Sequence, residues 1–267
     1  MKTVGIAGIG LVAPGIECWD SGRDLLASGG HYEISAEFPV LRPSSLSGNE
    51  RRRTTDTIKL ALQCAQDAMA DQSVVGVSDP ELTSVFACSS GDLNIVDRIL
   101  STLTMPGKPV SPTHFHNSVH NAPAGYWSIA SGSQAPTTSI AAGEGTFSAG
   151  LLEAITQILA DDHPVLLIVY DALPPAVLLK HRKITVAFGV AILLVPEKTK
   201  YSLSVIIHDG EACCSKMINP GFERLRQANP AAQCLPLLQN LALQQSTSLK
   251  FPYLQGQGLV LDLTINE

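Results

Sequence analysis

The chain has 267 residues, of which 45% are hydrophobic and 16% are charged. A chain of this length can bury a large core in one or two domains, and its apolar composition excludes a disordered protein. The low share of charged residues favours a surface that is partly covered, as another subunit would cover it. The net charge is −6 and there is no long basic run, which argues against nucleic acid as a partner.

Alternating strands and helices are predicted along the chain. The predicted strands span residues 3–12, 82–88, 137–142, 165–170, 184–195, 201–208 and 259–265. The predicted helices span residues 17–28, 54–71, 93–102, 118–131, 146–160 and part of 227–245. Asn117 or Ser118 is expected to cap the helix that ends near residue 131. Residues 31–48 and 106–116 are predicted as loops. This alternation implies an α/β layered fold with a largely buried mixed sheet.

The membrane and the oxidising compartments are both disfavoured. The apolar run at residues 165–170 is too short to span a bilayer and is followed by Asp171 and Pro174. The Gly-rich opening, M-K-T-V-G-I-A-G-I-G-L-V-A-P-G, predicts a buried first strand rather than a signal peptide. Six cysteines without a C-x-x-C pair or regular spacing are typical of buried, reduced thiols in a cytoplasmic protein. They are Cys18, Cys64, Cys88, Cys213, Cys214 and Cys234.

The most informative segment is S-I-A-A-G-E-G-T-F-S-A-G at residues 139–150. It predicts a strand, a tight turn of small residues and then a helix. Many acyl-transfer enzymes place their nucleophile on such an elbow, because the helix N-terminus lowers the pKa of a thiol and stabilises an anion. Here Glu144 occupies the turn between Gly143 and Gly145, so the sequence predicts an acyl-transfer scaffold without its nucleophile.

Four segments in chain order resemble the motifs of one family. They are the opening V-G-I-A-G-I-G-L-V-A-P-G, V-S-P-T-H-F-H-N-S-V-H-N-A-P-A-G at 110–125, the elbow, and F-G-V-A-I-L-L-V-P-E at 188–197. Together they resemble the β-ketoacyl synthase branch of the thiolase-like family, with Val190 where that family usually has a glycine. The resemblance implies a thiolase-like layered α-β-α fold, truncated to roughly the N-terminal half plus a short C-terminal extension.

The same resemblance implies a domain organisation. Residues 1–200 are expected to form a ketosynthase N-terminal-like domain, and residues 201–267 a short extension that completes it. Active members of the family also use two histidines from a second, C-terminal half. After residue 200 this chain contains only His208.

The resemblance also implies a function. Glu144 matches the position of the nucleophilic cysteine, and a carboxylate is a poor nucleophile for thioester exchange. The pattern resembles the chain length factor of type II polyketide systems, and most of all the short subunit of aryl polyene biosynthesis. It implies a cytoplasmic subunit with no catalytic residue, no cofactor and no autonomous activity. Its partner would be a full-length β-ketoacyl-acyl carrier protein synthase, in fatty acid or polyketide-type biosynthesis. The chain would interact with the acyl carrier protein as part of this heterodimer.

In the ketosynthase family the loop at 110–125 crosses the dimer interface and lines the acyl tunnel of the neighbour. By that resemblance, five residues of this chain are assigned to the tunnel or the interface: Thr113, His114, Phe115, His116 and Asn117. Simple packing at the interface is the alternative interpretation of these residues.

Several candidate residues have competing interpretations. Cys88, in A-C-S-S-G, is either a buried structural thiol or the nucleophile of a divergent acyltransferase. Glu144 either favours the helix start, pairs with a cation across the interface, or assists the decarboxylation of a malonyl group. The cluster Arg51 to Arg53 is either a solvated helix start or a docking site for an acidic carrier protein.

Two further patterns are set aside. His114, His116 and His120 have no carboxylate or cysteine near them in the sequence, so no metal site is predicted. Gly5, Gly8 and Gly10 stand in the wrong order for a dinucleotide-binding motif, so no nucleotide site is predicted.

Overall fold

The structure, a computed structural model, describes residues 3–70, 81–182, 184–210 and 214–266. Its strands are β1 (Val4–Val12), β2 (Thr83–Ala87), β3 (Thr137–Ile140), β4 (Val165–Asp171), β5 (Phe188–Val195), β6 (Tyr201–Asp209), β7 (Thr247–Pro252) and β8 (Gln257–Ile265). Its helices are α1 (Trp19–Ser28), α2 (Gly48–Arg53), α3 (Asp56–Ala70), α4 (Leu93–Leu103), α5 (Pro112–Asn117), α6 (Ala122–Ser131), α7 (Thr146–Asp161), α8 (Pro220–Ala228) and α9 (Leu235–Leu243).

One mixed sheet runs through the described residues, with eight strands in the order β3-β2-β4-β5-β1-β6-β8-β7. β2 pairs in parallel with both β3 and β4. All the other neighbours are antiparallel. The expected boundary at residue 200 falls between β5 and β6, and the sheet continues across it because β6 pairs with β1.

The core lies on both faces of this sheet. Every residue of β4 and β5 is buried, as expected for central strands covered on two sides. On one face, Phe86 of β2 belongs to an apolar cluster with residues of α3 and α6. On the other face, Phe147 of α7 belongs to a cluster that includes residues of α8 and α9. The three layers confirm the predicted α-β-α fold.

The glycines of β1 allow α3 to lie directly against the strand. A Cβ on Gly8 would lie 2.1 Å from the carbonyl oxygen of Ala68, and one on Gly10 would lie 2.0 Å from that of Cys64. Larger side chains would therefore push the helix away from the sheet. This close packing explains why the glycines recur in β1.

The predicted cap of α6 is wrong. α6 begins at Ala122 after Asn121, whereas Asn117 or Ser118 was the expected cap. The difference arises because part of the predicted loop at 106–116 forms the short helix α5. Its start is favoured by Pro112 and by the Ser111 hydroxyl, which accepts a hydrogen bond from the backbone N–H of His114.

The arginine cluster also differs from its expected place. Arg51 to Arg53 form the last turn of α2 rather than a helix start. The helix begins where Ser47 and Glu50 form a capping box, and Thr54 is its C-cap. Cations near a helix C-terminus interact favourably with the helix dipole.

Other predictions hold in part. β5 begins at residue 188 rather than 184, and β7 was not predicted. Asp71 and Cys213, which the sequence predictions include, lie outside the described residues. The five described cysteines are free thiols: Cys64, Cys88 and Cys234 are buried, whereas Cys18 and Cys214 are partly exposed. Within the described ranges, no helix has the length and apolar character that crossing a membrane requires.

Candidate functional site

The elbow that the sequence predicts is present between β3 and α7. The strand is followed by a single 3-10 turn, Gly143–Gly145, which leads directly into the helix. Gly143 has a left-handed φ of 55°, which a side chain would strain. The Thr146 hydroxyl donates to the carbonyl of Gly143 at 2.7 Å and accepts from the N–H of Ala142 at 3.1 Å. These two bonds fix the turn at the start of α7.

Glu144 is exposed at the tip of this elbow. Within the described residues, its carboxylate makes no hydrogen bond or ion pair. It lies at the N-terminal end of α7, where the helix dipole favours a negative charge. Glu144 is therefore accessible to a partner, but no acid or base among the described residues contacts its carboxylate.

The space behind the elbow is filled by the end of β7. A Cβ on Gly145 would lie 2.1 Å from the carbonyl oxygen of Tyr253, so only glycine fits there. The Ser148 hydroxyl donates to the carbonyl of Pro252 at 2.6 Å. The rings of Phe147 and Phe251 pack edge to face with centroids 5.1 Å apart. These contacts bring backbone carbonyls and an aromatic ring to the elbow, and none of these groups can act as a catalytic base.

Cys88 lies elsewhere, just after β2, and its side chain is completely buried. Its Sγ lies 3.4 Å from the Oδ1 atom of Asp171. Burial, together with the negative charge of Asp171, raises the pKa of the Cys88 thiol well above its usual value. A thiolate is the reactive form of cysteine, so this geometry favours the structural interpretation over the nucleophilic one.

A buried polar network surrounds that thiol. The Oδ1 atom of Asp171 accepts from the backbone N–H of Ser89 at 2.9 Å and from its hydroxyl at 2.7 Å. Arg182 donates to the same hydroxyl at 2.7 Å. Burial raises the pKa of Asp171 to about 6, although these hydrogen bonds and Arg182 act in the opposite direction. The network ties the ends of β2 and β4 to the segment that follows β4.

Sequence reasoning missed the network around Asp171. The available signal was a carboxylate that ends an otherwise apolar run, V-L-L-I-V-Y-D. Ser89 similarly follows the buried strand β2. In a sheet with parallel strands, these two ends lie at the same edge, because β2 and β4 are direct neighbours.

The predicted tunnel and interface residues on and beside α5 divide into two faces. Thr113, His114 and Asn117 line a groove of about 660 Å³ between α5 and the start of α3. Phe115 and His116 do not line it and are exposed. Phe115 is 67% exposed to solvent, which is unusual for a residue with a large apolar side chain.

Asn117 holds α5 in place. It is 2% exposed, its Nδ2 donates to the carbonyl of Arg53 at 2.7 Å, and its Oδ1 accepts from the hydroxyl of Tyr126 at 3.2 Å. These bonds join α5 to the end of α2 and to α6. The orientation of Phe115 is therefore fixed by a satisfied buried amide.

Two of the three histidines in this region, His116 and His120, make separate contacts. The Nε2 atom of His120 lies 3.0 Å from the carbonyl oxygen of Cys88. The ring of His116 packs edge-on against Tyr126, with centroids 6.0 Å apart. Within the described part of the chain, no group of three or more potential metal ligands comes together.

Large apolar side chains are exposed along α4, α5 and α6 and the segments that join them. They are Leu100, Leu103, Met105, Phe115, Val119 and Ile129. β3, which contacts α6, forms one end of the sheet and pairs only with β2 among the described strands. An open strand edge beside exposed apolar residues is typical of a protein–protein interface.

A layered α/β domain with an elbow between β3 and α7 defines a ketosynthase-like protein. Residues 38–251 match the sequence profile of the β-ketoacyl synthase N-terminal domain, and the chain belongs to that family. This confirms the family that the sequence motifs indicate.

Solved structures of the same fold cover nearly the whole chain. A chain of the complex of a ketosynthase (ApeO) with its chain length factor (ApeC) from Xenorhabdus doucetiae is 21% identical, with a TM-score of 0.74 over 97% of this chain and 99% of that one. The ishigamide ketosynthase/chain length factor is 13% identical, with a TM-score of 0.74 and complete coverage of both chains. A type II polyketide ketosynthase complex with its acyl carrier protein, AntDE:AntF, is 10% identical with a TM-score of 0.78 over 99% of each chain. None of the curated proteins is significantly similar in sequence.

Proposed function

We propose that the chain is a non-catalytic, chain-length-factor-like subunit of a cytoplasmic β-ketoacyl-acyl carrier protein synthase. It forms a heterodimer with a full-length ketosynthase and shapes the acyl tunnel of that partner. The particular pathway that we propose is aryl polyene biosynthesis. The observation that carries the proposal is Glu144, an acidic residue on the elbow where the family resemblance expects a cysteine.

The chemistry of the elbow supports a non-catalytic role. Thioester exchange needs a nucleophile that is both reactive and activated by a neighbouring base. Glu144 has neither property, because the residues that pack behind it contribute carbonyl groups and a phenyl ring. The thiol of Cys88 is buried beneath the surface and is held protonated.

The surface of the chain supports a protein partner. Apolar side chains are exposed on α4, α5 and α6, and α6, which carries Ile129, contacts the edge strand β3. Phe115 is the residue of this surface that we assign to the partner's tunnel. Two of the similar structures are complexes of a ketosynthase and its chain length factor, which supports a heterodimer of this kind. In this proposal, the chain interacts with the acyl carrier protein only as part of the complex.

Co-expression with a full-length ketosynthase tests the heterodimer. We expect the two chains to co-elute in size-exclusion chromatography, and we expect the complex to condense acyl and malonyl groups on a carrier protein. A chain that elutes alone and leaves the ketosynthase unchanged would contradict the proposal.

Substitution of Phe115 tests the tunnel role within the same complex. Phe115→Ala removes most of an exposed aromatic ring, so we expect products of altered length from an intact complex. Ile218→Ala is the matched control, because Ile218 is 93% exposed and lies between Ser215, which bonds to Lys250 of β7 at the other end of the sheet, and α8. Unchanged product length in Phe115→Ala would favour a purely structural assembly factor.

The exposed carboxylate of Glu144 at a helix start favours a second candidate function. It would assist the decarboxylation of a malonyl group in the complex. Glu144→Ala should then abolish malonyl decarboxylation while the complex still assembles. Turnover that survives the substitution would leave Glu144 with a structural or pairing role.

A further inference from the structure

The two ends of the short helix α5 differ in what they can touch. Phe115 is exposed, whereas Asn117, two residues later, is buried. Successive residues of a helix turn by about 100°, so these two side chains leave α5 in nearly opposite directions. Asn117 presents almost no surface to a partner, and any influence that it has on a partner must therefore act through the placement of Phe115.

Asn117 joins α5 to two other helices. Its Nδ2 atom donates to the carbonyl oxygen of Arg53 at 2.7 Å, and its Oδ1 atom accepts from the hydroxyl of Tyr126 at 3.2 Å. Arg53 is the last residue of α2, where a helix leaves carbonyl groups without intrahelical donors. One amide group thus satisfies the end of α2 and links α5 to α6.

Tyr126 contacts α5 at two neighbouring residues. Its hydroxyl bonds to Asn117, and its ring packs edge-on against the ring of His116, with centroids 6.0 Å apart. Tyr126 lies among the buried residues of α6. Burial raises the pKa of Tyr126, so its hydroxyl stays protonated and can donate. A rotation of α5 about its own axis would disturb both contacts with Tyr126.

The hydrogen bonds of Phe115 itself lie within α5 and its caps. Its N–H donates to the carbonyl of Ser111 at 3.0 Å, and its carbonyl accepts from the N–H and the hydroxyl of Ser118 at 3.1 and 2.8 Å. These bonds shape a helix of six residues, which is too short to be stable by itself. The direction of the phenyl ring therefore depends on the contacts of α5 with its neighbours, and hydrogen bonds are the directional ones.

We propose that Asn117 and Tyr126 are positioning residues that set the length of the product by fixing the direction in which Phe115 points. This inference rests on the proposed function, in which Phe115 enters the tunnel of the ketosynthase. Loss of either hydrogen bond lets α5 shift on α6, and a displaced phenyl ring bounds the tunnel less sharply. The complex then still condenses acyl groups, but its products spread over a wider range of lengths.

Hydrogen exchange of the free chain, followed by NMR, tests the positioning without a partner. Tyr126→Phe keeps the ring and removes one hydrogen bond, so the amide of Phe115 should exchange about 5-fold faster. Asn117→Leu keeps a similar shape and removes both bonds, so the increase should be at least about 10-fold. Tyr32→Phe is the matched control, because Tyr32 is also buried and its hydroxyl donates to the carbonyl of Pro14 at 2.8 Å. It should leave this exchange rate unchanged.

Product length in the heterodimer tests the consequence. The ratio of minor products to the main product should rise by about 2-fold in Tyr126→Phe and by about 5-fold in Asn117→Leu, in step with the hydrogen bonds lost. In a Phe115→Ala background, neither substitution should change the distribution further, because the ring that they position is gone. Size-exclusion chromatography checks assembly, and Tyr126→Phe carries the test if Asn117→Leu does not assemble.

A second buried amide provides the control for a general loss of stability. Asn229 donates to the carbonyls of Asp171 and Val186 at 3.0 and 2.9 Å, in the segment that follows α8. Asn229→Leu should destabilise the chain, because it leaves buried carbonyls unpaired, but it should not alter the product length.

Four outcomes would overturn the proposal. They are an unchanged exchange rate at Phe115 in Asn117→Leu, unchanged product lengths from assembled complexes of both variants, an undiminished shift in the Phe115→Ala background, and an equal shift in Asn229→Leu. If Phe115→Ala changes the product length and the positioning variants do not, the proposed function stands and this inference fails. If Phe115→Ala leaves the product length unchanged, the tunnel role fails and this inference fails with it.

Discussion

The two ends of the sheet are finished in different ways. At the β7 end, the chain covers its own edge: Ser215 donates its N–H to the carbonyl of Lys250 at 2.8 Å, and its hydroxyl accepts from the N–H of Lys250 at 3.0 Å. Pro252, at the end of the same strand, has no N–H to offer. At the β3 end, residues 137–140 are partly or fully exposed, and β2 is their sole strand partner among the described residues.

Unpaired strand edges are templates for association, and proteins usually cover or disrupt them. This chain covers one edge with its own residues and leaves the other open, next to α6 with its exposed Ile129. The difference is consistent with the proposed heterodimer, in which the β3 end would meet the partner. The elbow that bears Glu144 directly follows β3, so Glu144 lies at the same end of the sheet.

The largest loss of stability is expected where β7, at the covered end of the sheet, packs against the core. Phe251 of β7 is 1% exposed and packs against Phe147 of α7. Phe251→Ala should lower the free energy of unfolding by about 3 to 5 kcal/mol, because it leaves a cavity behind the elbow. Urea denaturation measures this. Leu254→Ala, at an exposed position nearby, should cost less than about 0.5 kcal/mol, and equal losses in both would show that β7 is not part of the same core.

The proposed role of the β3 end in partner binding is tested by introducing the same negative charge at each end of the sheet. Ile129 and Ile218 are both isoleucines that are largely exposed, at 66% and 93%. Ile129→Asp should weaken binding to the ketosynthase by about 100-fold, because a charge would be desolvated at the interface. Ile218→Asp should leave that affinity unchanged. Equal effects in the two variants, measured by calorimetry, would remove the distinction between the edges.

The Asp171 network lies at the end of β4 and is tied to the C-terminal part of the chain, since Asn229, just after α8, donates to the carbonyl of Asp171 at 3.0 Å. Burial raises the pKa of Asp171 from 3.8 to about 6 in the folded state. A raised carboxyl pKa stabilises the fold at low pH, and this contribution disappears as the pH rises through about 6.

Asp171→Asn should remove that pH dependence. The free energy of unfolding of the natural chain, relative to the variant, should therefore fall by about 2 kcal/mol between pH 4.5 and pH 7.5. Chemical denaturation at the two pH values measures the difference. A constant difference would mean that Asp171 is not protonated more readily in the folded chain.

The smallest change in stability is expected for a substitution at the elbow itself. Glu144 is exposed and unpaired within the described chain, so Glu144→Ala should shift the melting temperature by no more than about 2 °C. Differential scanning fluorimetry of the free chain tests this, with Glu153→Ala on α7 as the control. A large shift on the free chain would show that Glu144 stabilises the open end without any partner.

The sequence predicted the layered fold because its strands are apolar runs that two helical layers cover, as in β4 and β5. It also predicted the elbow, because small residues mark a tight turn: Gly143 adopts a left-handed φ of 55°, and Gly145 leaves room for the carbonyl oxygen of Tyr253. Local patterns failed where tertiary contacts decide the structure. α6 begins late because Pro112 and Ser111 start a separate helix, and β7 alternates exposed and buried residues over only six positions.

Much of the candidate site could not be predicted from the sequence, because tertiary contacts decide it as well. Glu144 and Phe115 stand in recognisable motifs, so they could be singled out. The pairing of Asp171 with Ser89 depends on the order of strands in the sheet, and residues 82 positions apart give no local signal. The division of α5 into a groove face and an apolar face likewise depends on where α3 and α4 lie.

The central claim is that the chain contributes to condensation only through a partner. The most direct measurement is the condensation of carrier-bound acyl and malonyl groups, assayed for the isolated chain and for its complex with a full-length ketosynthase. We predict no product from the isolated chain and elongated product from the complex. Condensation by the isolated chain would contradict the account, because Glu144 would then be doing what the family assigns to sulfur.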